Sequence, residues 1–383
     1  MKLIERNKYL RNNILISHII LAIVIISNIN AFAFSPQSAK ILEHDKKIIA
    51  ENKKLNLYRG ELFIGVDDVF SNNESLNIPV TIRYNPATKD FVIADTGNDC
   101  LYLVTEKGKF KKKIGQRGQG PGDFMNPMYV EIDSKGDIYV YDTWRISIFS
   151  QDGKYITSFR MKGINPMSEY LRLFRFSVSS NREIVTNLCS INGYYISVLS
   201  RNGEITKSIG IIDKKFERED ATLLASIGYA FKGNNSKYYI VLLKMQLMRM
   251  YDENGKLEKE VNVCDLIKRP ERKKDIKSKQ LSNYYNSTNI NVLLYDVIFD
   301  GNIFYFLPTL RFREESLILV DNGLSFLKEY KFGVNPENHK LPFKNVIISI
   351  SEYTSICINN KLNAIELYIP TFSSEIIKYS FSK

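Results

Sequence analysis

The stretch Ile114 to Pro127, IGQRGQGPGDFMNP, sets four glycines and two prolines around Arg117, Gln119 and Asp123. Loops of this kind can cradle phosphate, because glycine lets backbone N–H groups approach an anion at a helix N-terminus. That chemistry needs a strand, the loop and then a helix, with G-K-[ST] in the nucleotide-binding version. Here a β-rich run, Tyr129 to Asp133, follows instead, and no G-K-[ST] is present. The loop therefore reads as a connector, with glycines for positive φ and Pro127 ahead of the next strand.

Other side chains could bind. Asn98 and Asp99, Trp144 and Arg145, Asn192 and Tyr194, and Arg311 and Arg313 each fall between two β-rich runs. Trp144 is the only tryptophan, and a tryptophan beside an arginine suits stacking on a sugar ring or anchoring a protein partner. The same ring could instead fill a gap between sheets, and both readings stand. Glu131 and Asp296, each in an inner strand, are the carboxylates that a calcium centre could use, although no spacing demonstrates that they converge. Three histidines, His18, His44 and His339, are too few and too scattered for a histidine metal site. Neither G-x-S-x-G nor H-E-x-x-H occurs.

Four cysteines, Cys100, Cys189, Cys264 and Cys357, contain no C-x-x-C pair. They permit two disulfides in three connectivities, but their wide spacing suits small buried apolar residues better.

The elements that must position these groups are short strands. Val130 to Phe159 reads as a four-stranded meander: strand a Tyr129–Asp133, b Asp137–Tyr141, c Ile146–Ser150 and d Lys154–Phe159. Asp152-Gly153 joins c to d, and such a pair between β-rich runs suggests a type I′ hairpin. The same c-d signal recurs as Lys107-Gly108, Asn202-Gly203, Asn254-Gly255 and Asn322-Gly323, the glycines being 45, 50, 52 and 68 residues apart. Four-stranded units at this period predict propeller blades. Runs such as IYVY, YYIVLL and IFYFL are apolar on both faces, as in sheets covered on both sides. A final repeat supplies only a, b and c, and a strand within Tyr58 to Val69 is left over to complete it. The fold class that follows is all-β, a six-bladed β-propeller of four-stranded antiparallel blades closed by an N-terminal strand.

GQGPGDFMNPMYVEIDSKGDIYVYDTWRISIFSQDGKYITSF resembles an NHL repeat, in its glycine-rich connector, its G-x-[IV]-Y-V-x-D run, its R-I at strand c and its final D-G-K. FVIADTGND of the preceding blade matches as well, with Cys100 where the family usually has arginine. The resemblance implies the six-bladed, NHL-like or TolB-like architecture. It also implies that Asp95 and Asp142 bind turn amides and are not catalytic. Relatives of this class include metal-dependent lyases and lactonases, and RNA binders.

The N-terminus reads as a secretory signal. Lys2, Arg6, Lys8 and Arg11 precede an apolar run from Ile14 to Ile26, and Ala31-Phe32-Ala33 supplies the cleavage pattern. This divides the chain into a signal at 1–33, a linker at 34–56 and the propeller at 57–383. An uncleaved segment would instead anchor the protein to a membrane. The whole chain has 53 basic and 42 acidic residues; without four basic residues and one acidic residue of the signal, 49 and 41 remain. In an exported protein this excess favours acidic glycans or other anionic partners over nucleic acid. An insertion at 266–288 concentrates the charge, with Lys268, Arg269, Arg272, Lys273 and Lys274 in one run. It is a docking surface for an anionic partner or a solvated charge run.

The d-a connectors and b-c loops share one face, the top, and receive the longer and more varied loops. The sequence thus predicts an exported monomeric module, periplasmic or extracellular, that offers its top face to a protein or glycan. The alternative is a calcium-dependent lyase or lactonase.

Overall fold

A computed structural model describes residues 58–59, 61–65, 68, 74–142, 145–160, 175–187, 193–212, 226–243, 245–267, 294–308, 315–333, 355–370 and 374–383. The signal and linker segments lie outside them. From Tyr58 onward the chain forms one compact unit.

The first strands are β1 (Tyr58–Arg59) and β2 (Glu61–Ile64). Blade 1 follows as β3 (Pro79–Asn85), β4 (Asp90–Asp95), β5 (Cys100–Thr105) and β6 (Phe110–Ile114). Blade 2 is β7 (Pro127–Ile132), β8 (Ile138–Asp142), β9 (Arg145–Phe149) and β10 (Tyr155–Arg160). Blade 3 is β11 (Phe176–Val178), β12 (Ile184–Thr186), β13 (Tyr194–Leu199) and β14 (Ile205–Ile211). Blade 4 is β15 (Gly228–Lys232), β16 (Tyr238–Leu242), β17 (Leu247–Tyr251) and β18 (Leu257–Asn262), followed by one helical turn, α1 (Val263–Leu266). Blade 5 is β19 (Leu294–Phe299), β20 (Ile303–Pro308), β21 (Glu315–Asp321) and β22 (Phe326–Gly333). Blade 6 is β23 (Cys357–Asn360), β24 (Ala364–Pro370) and β25 (Ile376–Ser382), with β2 as its outer strand.

The left-over N-terminal strand thus completes the last blade, and it also touches a second one. β2 pairs antiparallel with β25, Glu61 facing Lys378 and Ile64 facing Ile376. One residue earlier, β1 pairs parallel with β22, Tyr58 facing Phe332. A single extended segment therefore stitches blade 5 to blade 6.

The core is divided into six apolar clusters, one at each seam between neighbouring blades. Period-two alternation produces this division. On β8, Ile138 and Val140 pack into the cluster with blade 1, while Tyr139 and Tyr141 pack into the cluster with blade 3. The middle strands of each blade fill two seams at once, which is why their sequences are apolar on both faces, whereas outer strands such as β6 and β10 carry charge and exposure.

The c-d turns differ from the type I′ expectation. In blade 2, Gly153 N–H donates to Ser150 O at 2.8 Å and Ser150 N–H to Lys154 O at 2.8 Å, and only Gly153 has positive φ, +77°. This is a type I turn closed by a glycine bulge, and the c-d register shifts accordingly in blades 1 to 5. The bulge suits the twist of these strands while asking only one residue to be left-handed. In blade 5 that residue is Leu324, φ +60°, and not the neighbouring Gly323. Leu324 is 3% exposed in the seam with blade 4, so burial offsets its backbone strain.

Cys100, Cys264 and Cys357 are free, buried thiols, Cys100 and Cys357 in the seam between blades 1 and 6 and Cys264 in α1, and Cys189 lies outside the described residues. Burial pushes the Cys100 and Cys357 thiols up to about 12. Among the described residues no helix is long and apolar enough to cross a membrane.

Candidate functional site: a clamped top-face loop and a filled axis

The glycine-rich connector leaves β6 and crosses to β7. Gly115 has φ +73°, and a Cβ there would lie 2.5 Å from the Phe124 ring, so glycine is required twice over. Phe124 is buried against Phe149 and pins the loop to the seam between blades 1 and 2. Its N–H donates to Gln116 O at 2.9 Å and its carbonyl accepts from Gly118 N–H at 2.9 Å. Arg117, between those two partners, stands out from the surface with its side chain 83% exposed.

Arg145, the first residue of β9, holds the rest of the loop. Its guanidinium donates to Gln119 O at 2.9 Å, to Gly120 O and to Asp123 O, and pairs with the Asp142 carboxylate at 3.2 Å. Asp142 also accepts from Met125 N–H at 3.1 Å. Three carbonyls and a carboxylate thus converge on a cation that the chain supplies itself. Arg145, expected as a binding residue, is turned inward as the clamp of the connector, because a guanidinium has five donors to satisfy and the loop offers the acceptors.

The first residue of strand c is Cys100 in blade 1 and Tyr194 in blade 3, so neither blade has this clamp. In blade 1, Asp95 holds the incoming chain instead, accepting from Asn77 N–H and Ile78 N–H, each at 2.9 Å, and from Asn98 Nδ2 at 3.0 Å. Burial pushes its carboxyl up against the pull of those donors. In blade 3, Asn187, just past β12, instead holds the chain entering blade 4, donating to Tyr195 O and Ser226 O and accepting from Gly228 N–H. Tyr194 is half-buried at the start of its strand.

The exposed polar surface beside the clamp is small and defined. Asp99, φ +48°, accepts from Asn126 N–H at 2.8 Å and has Arg117 Nε 3.8 Å from its second oxygen. Gln119 is exposed, and the half-buried Asp123 carboxylate packs against Gly118 and Gly120. Arg117, Gln119 and Asp123 therefore do come together, on one loop. Trp144, Asn192, Arg311, Arg313 and the basic run Lys268, Arg269, Arg272, Lys273 and Lys274 lie outside the described residues.

The second arrangement, on the axis, was only half visible in the sequence. Glu131 and Asp296 do point to the centre, but each meets an arginine. Arg83 Nη2 lies 3.0 Å from Glu131 Oε1, and the same oxygen accepts from Tyr129 OH at 2.7 Å. Arg175 Nη1 pairs with Asp296 Oδ1, while Asp296 Oδ2 accepts from Ser355 Oγ and Ile356 N–H, each at 2.9 Å. Arg83 also donates to Ser355 Oγ at 2.9 Å and to Ile356 O at 2.7 Å. The Arg175 guanidinium lies over the rings of Tyr129 and Tyr229. With Tyr229, every blade or its entry segment contributes to this cluster: Arg83, Glu131, Arg175, Tyr229, Asp296 and Ser355.

Two positive and two negative groups balance there. Burial works against the charges on Arg83 and Arg175, but the facing carboxylates outweigh it and hold both above the usual arginine range. Burial and the neighbouring Glu131 push the Tyr129 phenol up. Calcium needs six to eight oxygens, mostly free carboxylates and carbonyls. Glu131 and Asp296 do not fit that need, since guanidinium groups occupy the directions an ion would take. Among the described residues no group of three or more His, Cys, Asp or Glu could hold a metal.

The comparisons with known proteins agree with this architecture. Residues 76–146, from the entry of blade 1 into strand c of blade 2, match a family of six-bladed beta-propellers. No curated protein matches the chain. Among solved structures, a Bacteroides vulgatus protein superposes with a TM-score of 0.50 at 11% identity, over 85% of this chain and 97% of its own. A Bacteroides fragilis protein named as exported gives 0.49 at 12% identity, over 85% and 95%. Virginiamycin B lyase from Staphylococcus aureus gives 0.46 at 11% identity, over 81% and 97%. At 11% identity the first of these likenesses speaks for the fold alone.

Proposed function

We propose that the protein is an exported, NHL-like propeller that serves as a binding or scaffold module, offering its top-face loops to a protein or glycan. The observation that carries this reading is the clamped connector. Arg145 fixes the loop backbone through three carbonyls, while the Arg117 and Gln119 side chains, held only by surface contacts with Asp99 and Met125, stay exposed to a partner. Recognition is stronger when little ordering entropy is lost on binding, and a loop already held in place meets that condition. The closed ring supports it further, since its strand edges are largely paired or charged and the varied loops gather on one face.

Site-specific photo-crosslinking in the producing cell tests the reading. A photoreactive residue at position 117 or 119 is expected to capture a defined protein or glycan band, and one at Lys107 or Lys135, in bottom-face turns, is not. Equal labelling from both faces, or recovery of the protein from the cytoplasm, would count against it.

A further inference from the structure

The axial cluster does more than fill the centre. The ring closes non-covalently inside blade 6, where β2 from the N-terminal side meets β25 from the C-terminal side. That rim ladder is short, from Glu61–Lys378 to Ile64–Ile376, and its register is broken between Leu62 and Ile64. The three C-terminal strands need a second hold, and Ser355 to Cys357, at the entrance to β23, provides one.

Six hydrogen bonds leave this short segment for blades 1 and 5. Ser355 N–H donates to Val80 O at 2.7 Å, and Tyr84 N–H donates to Cys357 Sγ at 3.2 Å. Arg83 reaches Ser355 Oγ and Ile356 O, and Asp296 accepts from Ser355 Oγ and Ile356 N–H. Arg175, at the entry of blade 3, adds a longer contact to Ser355 Oγ at 3.4 Å.

We infer that the Arg83–Asp296–Ser355 cluster is an inner latch of the ring, a second closure point that holds the C-terminal strands of blade 6 from the axis while β2 holds them from the rim. Opening this segment would leave the buried Arg83 and Asp296 short of hydrogen bonds that satisfy their charges, and a buried charged group that loses such partners is costly. Detaching blade 6 therefore requires the hydrogen bonds to Arg83 and Asp296 and the rim ladder to break together, while the Arg83–Glu131 and Arg175–Asp296 pairs stay within the other blades.

Native-state hydrogen exchange on the full chain tests this. Arg83→Met, which also unpairs Glu131 of blade 2, is expected to speed exchange in β23, β24 and β25 about a hundredfold and to loosen β7, while β12, β13, β16 and β17 keep their protection. Ser355→Ala, which removes a hydroxyl without unpairing a charge, is expected to give the same regional pattern at about tenfold, and it keeps the test decisive if Arg83→Met does not fold. An acceleration spread evenly over all blades, or none in blade 6, would overturn the latch.

Discussion

Arg83 and Ser355 are 272 residues apart in the chain, yet the guanidinium donates to the hydroxyl at 2.9 Å on the axis. The contact joins the first inner strand to the entry of the last. It makes the centre of the propeller a closed, charge-balanced plug.

Arg145→Met should release the connector and leave the Asp142 carboxylate without its cation. The pair is largely buried, so the expected loss is about 3 kcal/mol, or roughly 4 °C in midpoint for a domain of this size. Calorimetry measures the midpoint, and proteolysis within 116–126 should appear at the same time. An unchanged midpoint would mean that Phe124 alone holds the loop.

Two turn glycines should respond differently to the same change. Gly255→Ala makes only ordinary contact with Ile209, at 3.8 Å, and should lose about 1 kcal/mol from positive φ alone. Gly203→Ala adds a Cβ 2.1 Å from the Phe159 ring and should lose about 2–4 kcal/mol. Denaturant midpoints of the pair test the ordering, and equal losses would show that Phe159 moves aside freely.

Glu366 supplies a pH dependence. Burial pushes its carboxyl up, but hydrogen bonds from Lys361, Lys378 and Tyr368 prevail and hold it below the usual range. A depressed folded-state value adds stability above the unfolded carboxylate value, and that increment fades as pH falls through the folded one. Glu366→Gln should therefore be less stable than the native protein at neutral pH, with the gap narrowing below about pH 4. A gap that stays constant from pH 7 to pH 3 would refute this sign.

Calcium, added after chelator treatment, should leave the thermal midpoint unchanged, because guanidinium groups already face both axial carboxylates. An ion bound at a hundred times its dissociation constant would instead add about 2.7 kcal/mol. A saturable rise of that size would return the calcium reading to the front.

The blades were legible because a bulged turn needs a left-handed residue at a fixed place, and glycine marks it. Where Leu324 takes that place the mark misleads by one position: Asn322-Gly323 looks like the turn, but the strained residue is the next one, kept there by its side chain's burial. Arg145 was legible as the arginine that the resembled repeat places at the start of strand c but not as a clamp, since nothing local says which way an arginine turns. The axis was the least legible part. Glu131 and Asp296 stand out as acids in inner strands, but Arg83 and Arg175 become their partners only once the ring has closed. Charges at equivalent inner-strand positions of different blades were the signal that could have found them.

The six separate seams have a consequence for how this sequence can diverge. Selection acts on the volume filled between two blades, shared by strands far apart in the chain, and not on the wording of any one blade. A change on one face of β8 can be compensated in blade 1 or in blade 3 without reference to the rest of the ring. Blades 3 to 6 lack the repeat signature that blades 1 and 2 carry, and each still forms its four-stranded sheet in the ring.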